Sequence, residues 1–527
     1  MWTEIAEPMS DYLKFSLSPL GNHKGKKHII IVGAGIIGVC TAYYIVHHPK
    51  FDPATHHITI IESKRVAGGA SGKAGGLLAL WAFPQQIVPL SFDLHQELSD
   101  KYNGEEEWGY RRLTTVLLEG DLSHLKDHDF DDDDPVFVTE ETYKQPHDLD
   151  SLSTLLGLDK PPKKTLRVTR SLAAKSATKL PPDLNWISLS LIDNCLSLGG
   201  TDTTAQVHPY KFTNFLLKKA VEDSKGLIDL IIGKVNQILF SMETGRATGV
   251  AYTPTLVKLK DQGLVKLQGD QIVLSVGPWT LKILPDCPIL GLRAHSITVA
   301  PFKDQPVSPY AIFTEFKTGP ALYISPEIYA RQDEVYVCGE GDLAVDVPET
   351  TDDVEVVKSK CDELFKQVGK ISPNLRRGHI LKKQACYLPV LDVPSLLGPL
   401  IGETNVENLY LALGHLCWGI NNAPGTGKIM SELLLDGDAV LADITGLDPL
   451  LYFDASVLVS DGEYDDFLEE ESATDDNDDD DDDEGSEEEV SDEGDDGYEE
   501  ESETNRDKPV AKPRVRKNGI HITSEAV

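Results

Sequence analysis

Near its N-terminus the chain carries two short apolar runs with a glycine turn between them. The first run, 28–32 (HIIIV), is followed at once by the turn at 33–38 (GAGIIG). The second run, 58–61 (ITII), stops at Glu62. Short apolar runs of this kind are typical of buried strands. The pattern predicts a strand, a tight turn, a helix and a second strand that ends at an acidic residue.

The same region allows a second interpretation. Residues 29–46 include no charged residue, and a run of 18 residues is long enough to cross a membrane. Three glycines would weaken such a helix, and the chain has no second span to accompany it. A strand and a helix buried in a domain core explain the apolar character better, so we expect a soluble protein without a transmembrane segment.

The glycine turn has the residues that a dinucleotide site needs. Gly33 allows a sharp turn, Gly35 lets the backbone approach a pyrophosphate, and Gly38 lets the helix lie close to the strand. The helix N-terminus attracts phosphate through its partial positive charge. Glu62 ends the second strand, where its carboxylate can accept a hydrogen bond from the adenosine ribose. The order of these elements predicts a dinucleotide-binding βαβ unit.

Further along the chain, apolar and polar residues alternate with a period of two. The alternation is clearest at 296–299, 321–324 and 334–338, and 113–118 also has the composition of a strand. Such alternation is typical of an antiparallel sheet with one packed face. The sequence therefore predicts a second sheet, separate from the βαβ unit.

The formal charge of −37 is concentrated near the C-terminus. Residues 461–503 contain 27 Asp or Glu and no Lys or Arg, and 505–527 turn basic. The acidic run repels itself and cannot bury apolar surface, so we expect it to be disordered. Residues 1–460 carry only about −14, which gives no indication of nucleic-acid binding.

The seven cysteines are scattered and show no CxxC spacing, so neither a metal site nor a disulfide framework is predicted. Residues 1–27 carry charges throughout and lack the apolar centre of a signal peptide. We interpret them as an N-terminal extension of a cytoplasmic protein.

A second glycine-rich segment, 68–79 (GGASGKAGGLLA), follows soon after Glu62. Its position favours a flavin over a nicotinamide, because FAD lies extended and a backbone almost free of side chains must run beside it. Here the sequence resembles the D-amino-acid oxidase (DAO) family of FAD-dependent oxidoreductases, which includes glycine oxidase and sarcosine oxidase. That family places a similar small-residue segment at this point.

The resemblance continues in order along the chain. It includes the helix start at 207–210 (VHPY), the hairpin around Val235, the strand that ends in GPW at 277–279, and the segment 408–428. In the family, the N-terminus of the last helix faces the pyrimidine end of the flavin and stabilises negative charge there. The resemblance therefore implies FAD as the cofactor.

The resemblance assigns cofactor contacts to the two glycine segments, the acidic strand end, the hairpin and the last two segments. The residues are Gly33, Ala34, Gly35, Ile36, Ile37, Gly38, Glu62, Ser63, Ala70, Ser71, Gly72, Lys73, Ala74, Gly75, Gly76, Leu77, Val235, Gly277, Trp279, Gly414, His415, Gly419, Ile420, Gly425, Thr426 and Gly427.

The implied fold is α/β with two interleaved domains. A Rossmann-like FAD-binding domain comprises 28–80, 196–290 and 385–450, and an antiparallel-sheet substrate domain comprises 81–195 and 291–384. Within the latter, 121–182 has the composition of a surface insertion. Residues 455–527 form the disordered tail, first acidic and then basic.

One departure from the family concerns the substrate. Amino-acid oxidases of the family carry an arginine that pairs with the substrate carboxylate, and Leu388 stands at that position here. An apolar residue cannot pair with a carboxylate, and a buried unpaired carboxylate is costly. The substrate is therefore expected to be a small amine or an N-substituted compound, unless Arg293 or Lys73 supplies the positive charge.

Three side chains have more than one interpretation. Cys386 stands where the sarcosine oxidase branch attaches its flavin through a thioether, but packing as a small apolar residue is the favoured role. His415, a candidate catalytic residue, either orients substrate and supports oxygen reduction or only shapes the pocket. Lys73, the second candidate, contacts FAD phosphates, approaches the flavin ring or faces solvent.

The resemblance implies oxidation of a C–N bond: hydride passes to flavin N5, the imine hydrolyses, and dioxygen reoxidises the flavin. In the alternative interpretation, FAD is a structural or regulatory ligand. The whole chain looks most like fungal oxidoreductases of this family linked to late-endosome-to-Golgi traffic. That alternative implies peripheral association with late endosomes and protein partners for the acidic tail.

Overall fold

The computed structural model describes residues 25–125, 180–255, 263–302, 307–343, 345–393 and 398–459. Its strands are β1 (Lys27–Val32), β2 (His56–Glu62), β3 (Leu77–Ala79), β4 (Arg111–Arg112), β5 (Thr114–Asp121), β6 (Ile192–Gly199), β7 (Thr204–Gln206), β8 (Ile228–Phe240), β9 (Ala247–Pro254), β10 (Val265–Gln268), β11 (Gln271–Leu274), β12 (Ile289–Ala300), β13 (Tyr310–Gly319), β14 (Leu322–Ile324), β15 (Glu327–Ala330), β16 (Val335–Asp342), β17 (His379–Leu391), β18 (Leu400–Glu403) and β19 (Leu409–Leu413). Its helices are α1 (Ile36–Val46), α2 (Ala70–Lys73), α3 (Val88–Tyr102), α4 (Gly104–Trp108), α5 (Pro209–Ser224), α6 (Lys358–Ile371), α7 (Pro373–Arg376) and α8 (Gly419–Leu435).

The first sheet has the strand order β10-β9-β8-β2-β1-β11-β19-β18. Its centre, from β8 to β19, is parallel, and β9, β10 and β18 are antiparallel additions at its two sides. Strand β1 is buried on both faces: Ile29 and Ile31 pack with helices α1, α3, α5 and α8, while Ile30 and Val32 pack with the β8–β9 hairpin. The predicted strand–turn–helix–strand unit is thereby confirmed.

Glycines allow two close approaches beside β1. A Cβ on Gly38 would overlap the carbonyl oxygen of Gly33, so α1 can lie against its own turn only without a side chain there. A Cβ on Gly427 would stand 2.5 Å from the carbonyl carbon of Cys40, where α8 crosses α1. Gly38 and Gly427 therefore serve helix packing.

The second sheet has the order β17-β12-β16-β15-β13-β5-β6, with β14 paired to β13. Its pairs are antiparallel except β13 with β5, which is parallel. One face packs on α6 through an apolar core that includes Ile297, Ile312 and Val337. The predicted antiparallel sheet is therefore present, with one parallel pair inside it.

The domain boundaries predicted near 290 and 385 fall inside continuous strands, β12 and β17, which pair along their length. The tail predicted from 455 needs a correction at its start. Ala455 is fully buried and donates its backbone N–H to Asn405, so 455–459 belong to the packed body. Most of the insertion predicted at 121–182, the rest of the tail and residues 1–24 lie outside the described residues.

The apolar stretch 29–46 is divided between β1 and the eleven residues of α1. Within the described ranges, no helix is both long and apolar enough to span a membrane.

The Gly427 contact can be tested with a single methyl group. Alanine is preferred to glycine inside a helix by roughly 1 kcal/mol. Replacing an unhindered helical glycine with alanine therefore stabilises a protein. At Gly427 the neighbour is backbone, which cannot move aside easily. We expect Gly427→Ala to lower the free energy of unfolding by about 1–3 kcal/mol in urea denaturation.

Gly446→Ala is the matched control, because no atom lies closer than 3.9 Å to its added Cβ. It should leave the unfolding midpoint unchanged or raise it slightly, because the added methyl group is unhindered there. Equal midpoints for the two variants would show that the α1–α8 contact is not tight.

Candidate cofactor and substrate site

A cleft opens at the carboxyl ends of the parallel strands β1, β2, β11 and β19. Val32, Ile61, Ser275 and Leu413, at or directly after these strand ends, all line it. Open parallel sheets bind ligands at this edge, where strand order reverses from one side to the other. The topology thus places the predicted glycine turn and the acidic strand end in one cavity.

Of the glycines in the turn, only Gly35 lacks a structural reason to be glycine. Gly33 has a φ of +104°, and its Cβ would stand 2.6 Å from the carbonyl oxygen of Ser275. Gly35 has an extended backbone (φ −73°, ψ 176°), and its Cβ would meet only the Ser71 hydroxyl, at 3.1 Å. Because the fold itself tolerates a side chain at Gly35, the bare backbone there serves the cleft it lines.

Glu62 lies in the cleft wall and connects two loops. Its Oε2 accepts the N–H of Ala34 at 3.0 Å, and its Oε1 accepts the N–H of Lys64 and the hydroxyl of Ser63, each at 3.1 Å. Burial raises the pKa of this carboxyl, and hydrogen bonds from Ala34, Lys64 and Ser63 oppose that rise. Glu62 lines the cleft, where a carboxylate oxygen can accept a hydrogen bond from a ribose hydroxyl.

The second glycine segment contributes only in part. Gly68, Gly69, Ala70, Ser71 and Ala74 line the cleft. The remaining predicted members are not among the lining residues, and these are Gly72, Lys73, Gly75, Gly76 and Leu77.

Packing contacts account for the positions of these residues. A Cβ on Gly72 would overlap the carbonyl oxygen of Ala67, and one on Gly75 would overlap the ring of Tyr329. Gly76 has a φ of +88°, which few other residues adopt. The ammonium of Lys73 donates to the carbonyl of Ala385 at 3.0 Å, and burial lowers its pKa. Lys73 therefore contacts β17, outside the cleft lining.

The loop before α8 lines the opposite side of the cleft with Gly414, His415, Leu416, Cys417 and Gly419. His415 is 4% exposed, and its Nε2 lies 3.0 Å from the hydroxyl of Thr426. Burial lowers the pKa of His415 to about 3, so the ring is neutral at physiological pH. A neutral imidazole of this kind can exchange a hydrogen bond with a ligand but does not supply a positive charge.

The other predicted residues of this segment take supporting positions. Ile420 lines the cleft, while Thr426 forms a hydrogen bond with the ring of His415. A Cβ on Gly425 would stand 2.9 Å from the Cβ of Ser91, so Gly425 serves packing of α8 on α3, as Gly427 serves packing on α1.

The hairpin and the GPW segment line the cleft through Val235, Gly277 and Trp279, and the indole N–H of Trp279 donates to the carbonyl of Pro348 at 2.7 Å. Ile36, Ile37 and Ser63 also line it, whereas Ala34 and Gly38 lie behind the wall.

Sequence reasoning missed a charged group at this end of the cleft. Glu349 pairs with both Lys234 and Lys282, the latter at 2.6 Å. Hydrogen bonds from the two lysines lower the pKa of Glu349 to about 2. All three residues line the cleft, yet they come from distant parts of the chain and no motif marks them.

Neither alternative cation, Arg293 or Lys73, is among the residues that line the cleft. Leu388 lines the cleft, as expected. Arg293 is buried and pairs with Asp342 at 3.4 Å and Glu355 at 3.0 Å, and Lys73 is bound to Ala385. Among the described lining residues, the lysines and arginines are Lys234 and Lys282, which already share Glu349.

Cys386 is buried and is not among the lining residues of the cleft. Burial raises the pKa of its thiol to about 11, and the nearby ammonium of Lys73 opposes that rise. A thiol of this kind is almost entirely protonated near neutral pH and is a poor nucleophile.

Comparisons with known proteins agree with these features. A family model described as "DAO: FAD dependent oxidoreductase" matches residues 28–433. Putative oxidoreductase TDA3 of Saccharomyces cerevisiae is 49% identical over 517 residues, covering 84% of this chain and 98% of the relative. Putative oxidoreductase C1F5.03c of Schizosaccharomyces pombe is 33% identical over 433 residues, covering 80% and 98%.

Two solved structures share the fold. Glycine oxidase from Bacillus cereus is 17% identical with a TM-score of 0.51, covering 78% of this chain and 95% of the other. Iminodiacetate oxidase from Chelativorans sp. BNC1 is 16% identical with a TM-score of 0.54, covering 80% and 99%. At this level of identity, the likeness concerns the fold alone.

The bare backbone at Gly35 gives a direct test of cofactor binding. Gly35→Val should abolish bound FAD, because the branched side chain would occupy the cleft while its extended backbone remains allowed. The measurement is the flavin absorbance of purified protein together with its circular dichroism. Gly38→Val is the contrasting variant and should disrupt folding itself. A yellow Gly35→Val protein would contradict the assignment of this wall to FAD.

The burial of Cys386 predicts a non-covalent flavin. Acid precipitation should leave the yellow colour in the supernatant, and Cys386→Ala should retain a full content of FAD. A coloured pellet from the wild type that becomes colourless in Cys386→Ala would show a thioether link instead.

Proposed function

Because the chain belongs to the DAO family of FAD-dependent oxidoreductases, we propose that it oxidises a carbon–nitrogen bond of an amine or an N-substituted amino acid. The observation that carries this proposal is Leu388 in the cleft wall, with Arg293 and Lys73 both engaged elsewhere. A free α-amino acid would place its carboxylate beside an apolar residue without a cation.

FAD, when bound, supplies a hydride acceptor at N5 and a group that dioxygen can reoxidise. The residues of the protein bind and orient the cofactor and the substrate and enclose them. Gly35 and Glu62 suit the pyrophosphate and the adenosine ribose, and the N-terminal end of α8 stands at the cleft, where its dipole favours negative charge. Neutral His415, held by Thr426, orients a polar group without contributing a charge of its own.

The names of the structural neighbours support this class of reaction. Glycine and iminodiacetate both carry a carbon–nitrogen bond beside a carboxylate. The present cleft keeps the surroundings needed for a flavin but has an apolar residue at the place of the clamp. A cleft of this kind selects its substrate through the nitrogen-bearing group, because it offers no cation to a carboxylate.

Leu388→Arg tests the proposal directly. Peroxide release should be faster with a secondary amine that lacks a carboxylate, such as N-methylbenzylamine, than with the free amino acids D-alanine and glycine in the wild type. Leu388→Arg should strengthen binding of the carboxylate compounds by roughly 1–3 kcal/mol, because it restores a bidentate partner. Leu388→Met, which keeps an apolar side chain of similar volume, is the matched control.

Fast oxidation of D-alanine by the wild type would refute selection against carboxylates. An absence of oxidation with every compound, in wild type and variants that contain FAD, would favour the alternative in which FAD is a regulatory ligand of a protein that acts in endosome-to-Golgi traffic.

A further inference from the structure

The second sheet turns one face away from α6, and this face carries a carboxyl group. Glu327 on β15 lies directly opposite Cys338 on β16. The pairing of β15 with β13 brings Phe313 beside Glu327, one step beyond the pair of Ile312 with Ile328. Three side chains of very different character therefore share one row across neighbouring strands.

Aromatic rings surround this row. Ring centroids are 5.3 Å apart for Trp418 and Trp81, 6.2 Å for Trp81 and Phe313, and 6.0 Å for Phe313 and Tyr329. Tyr329 in turn stacks on Tyr336 at 5.9 Å. These five rings, with Glu327 among them, form a chamber that we call the aromatic chamber. It has the composition of sites that hold organic cations.

Cys417 lies between the aromatic chamber and the cofactor cleft. This residue lines the cleft and lies close enough to Glu327 for the negative charge of Glu327 to raise the pKa of the thiol. Its side chain is exposed, although burial raises its thiol pKa to about 12. Cys417 therefore faces an internal space, and its neighbour Trp418 forms one wall of the aromatic chamber.

Glu327 has few partners for a carboxyl group in such surroundings. The hydroxyl of Tyr329 donates to its Oε2, and the thiol of Cys338 lies 3.7 Å from the same oxygen. Among the described residues, its Oε1 accepts no hydrogen bond and no lysine, arginine or histidine pairs with it. Glu327 is partly accessible, and a carboxylate among aromatic rings without a counter-charge is costly, so this arrangement indicates a ligand.

Two cationic side chains close to the chamber, Arg331 and Lys73, bind other groups. Arg331 pairs with Glu334 at 2.6 Å and donates to the carbonyls of Ala74 and Gly75. Lys73 donates to Ala385. The remaining titratable groups around Glu327, on its own strand, on β16 and in the loop before α8, are Tyr329, Tyr336, Cys338 and Cys417, and burial raises the pKa of each. All four are neutral near pH 7.

We propose that Glu327 is the anchor for a cationic substrate, which the aromatic chamber holds by its ammonium group. The free Oε1 accepts from the ammonium, and the aromatic rings contact its carbon substituents. This inference rests on the proposed function and specifies its substrate class: amines that are recognised by positive charge.

The chamber also sets a pH dependence. Burial raises the pKa of Glu327, and the hydrogen bonds from Tyr329 and Cys338 oppose that rise. The carboxyl is neutral below its pKa and charged above it. Binding of a cation therefore strengthens as pH rises through the pKa of Glu327, and it stays constant above that value while the ligand remains protonated.

Three probes of similar size and shape differ in charge: benzylammonium is positive, benzyl alcohol is neutral and benzoate is negative. Binding to full-length protein loaded with FAD is measured by titration calorimetry and by the shift in melting temperature. The wild type should bind benzylammonium at least tenfold more tightly than benzyl alcohol, and benzoate most weakly. Glu327→Gln should lose about tenfold or more in benzylammonium binding, leave benzyl alcohol unchanged and remove the pH dependence.

Glu363→Gln is the matched control, since Glu363 is an exposed carboxylate on α6, on the opposite side of the sheet. If Glu327→Gln does not fold, Trp81→Ala replaces it, because Trp81 forms an accessible wall of the chamber and its loss should weaken benzylammonium more than benzyl alcohol.

Unchanged benzylammonium binding in Glu327→Gln, or benzoate binding as tight as benzylammonium, overturns the proposal. These outcomes are distinct from failure of the proposed function. That failure would appear as tight benzylammonium binding without oxidation of any amine.

Discussion

The tight packing around the first glycine turn is the constraint on which the site depends. Gly33 lies against the backbone of Ser275, and the Ser275 hydroxyl donates back to the carbonyls of Val32 and Gly33. Gly38 brings α1 against the same turn, and Gly427 brings α8 against α1. These contacts fix the first turn and the last helix at one edge of the parallel sheet, although they lie almost four hundred residues apart in sequence. A cleft for one extended cofactor follows from this closeness.

Local patterns made much of the fold and one wall of the site predictable. The apolar runs at 28–32 and 58–61 had to be buried strands, and a turn between them with an acidic residue after the second has few structural solutions. Glu62, Trp279 and His415 line the cleft because each ends or follows a strand whose carboxyl end the topology places at that edge. Such residues are found by reading along the chain.

The remainder depends on contacts between distant segments. A glycine in a sequence has the same appearance whether a ligand, a turn or a neighbouring helix requires it. Only the structure separates Gly35, which lines the cleft, from Gly75 and Gly425, which lie against other side chains. The Lys234–Lys282–Glu349 group and the carboxyl of Glu327 could not be predicted for a related reason: the neighbours that define their environment come from other segments of the chain.

The carboxyl groups of Glu62 and Glu327 show how the surroundings of a side chain determine its role. Glu62 receives three hydrogen bonds, which stabilise its charge and tie two loops together. Glu327 receives a tyrosine hydroxyl and a thiol on one oxygen and nothing described on the other. A protein that needed only stability would place an apolar residue at such a position, since isolated buried charge is destabilising. The combination of Leu388 in the cleft with Glu327 in the aromatic chamber reverses the usual polarity of an amino-acid site. Glu327 stabilises the ammonium group of a zwitterion, but the carboxylate of the zwitterion is destabilised beside Leu388. A simple ammonium compound makes the favourable interaction without the unfavourable one.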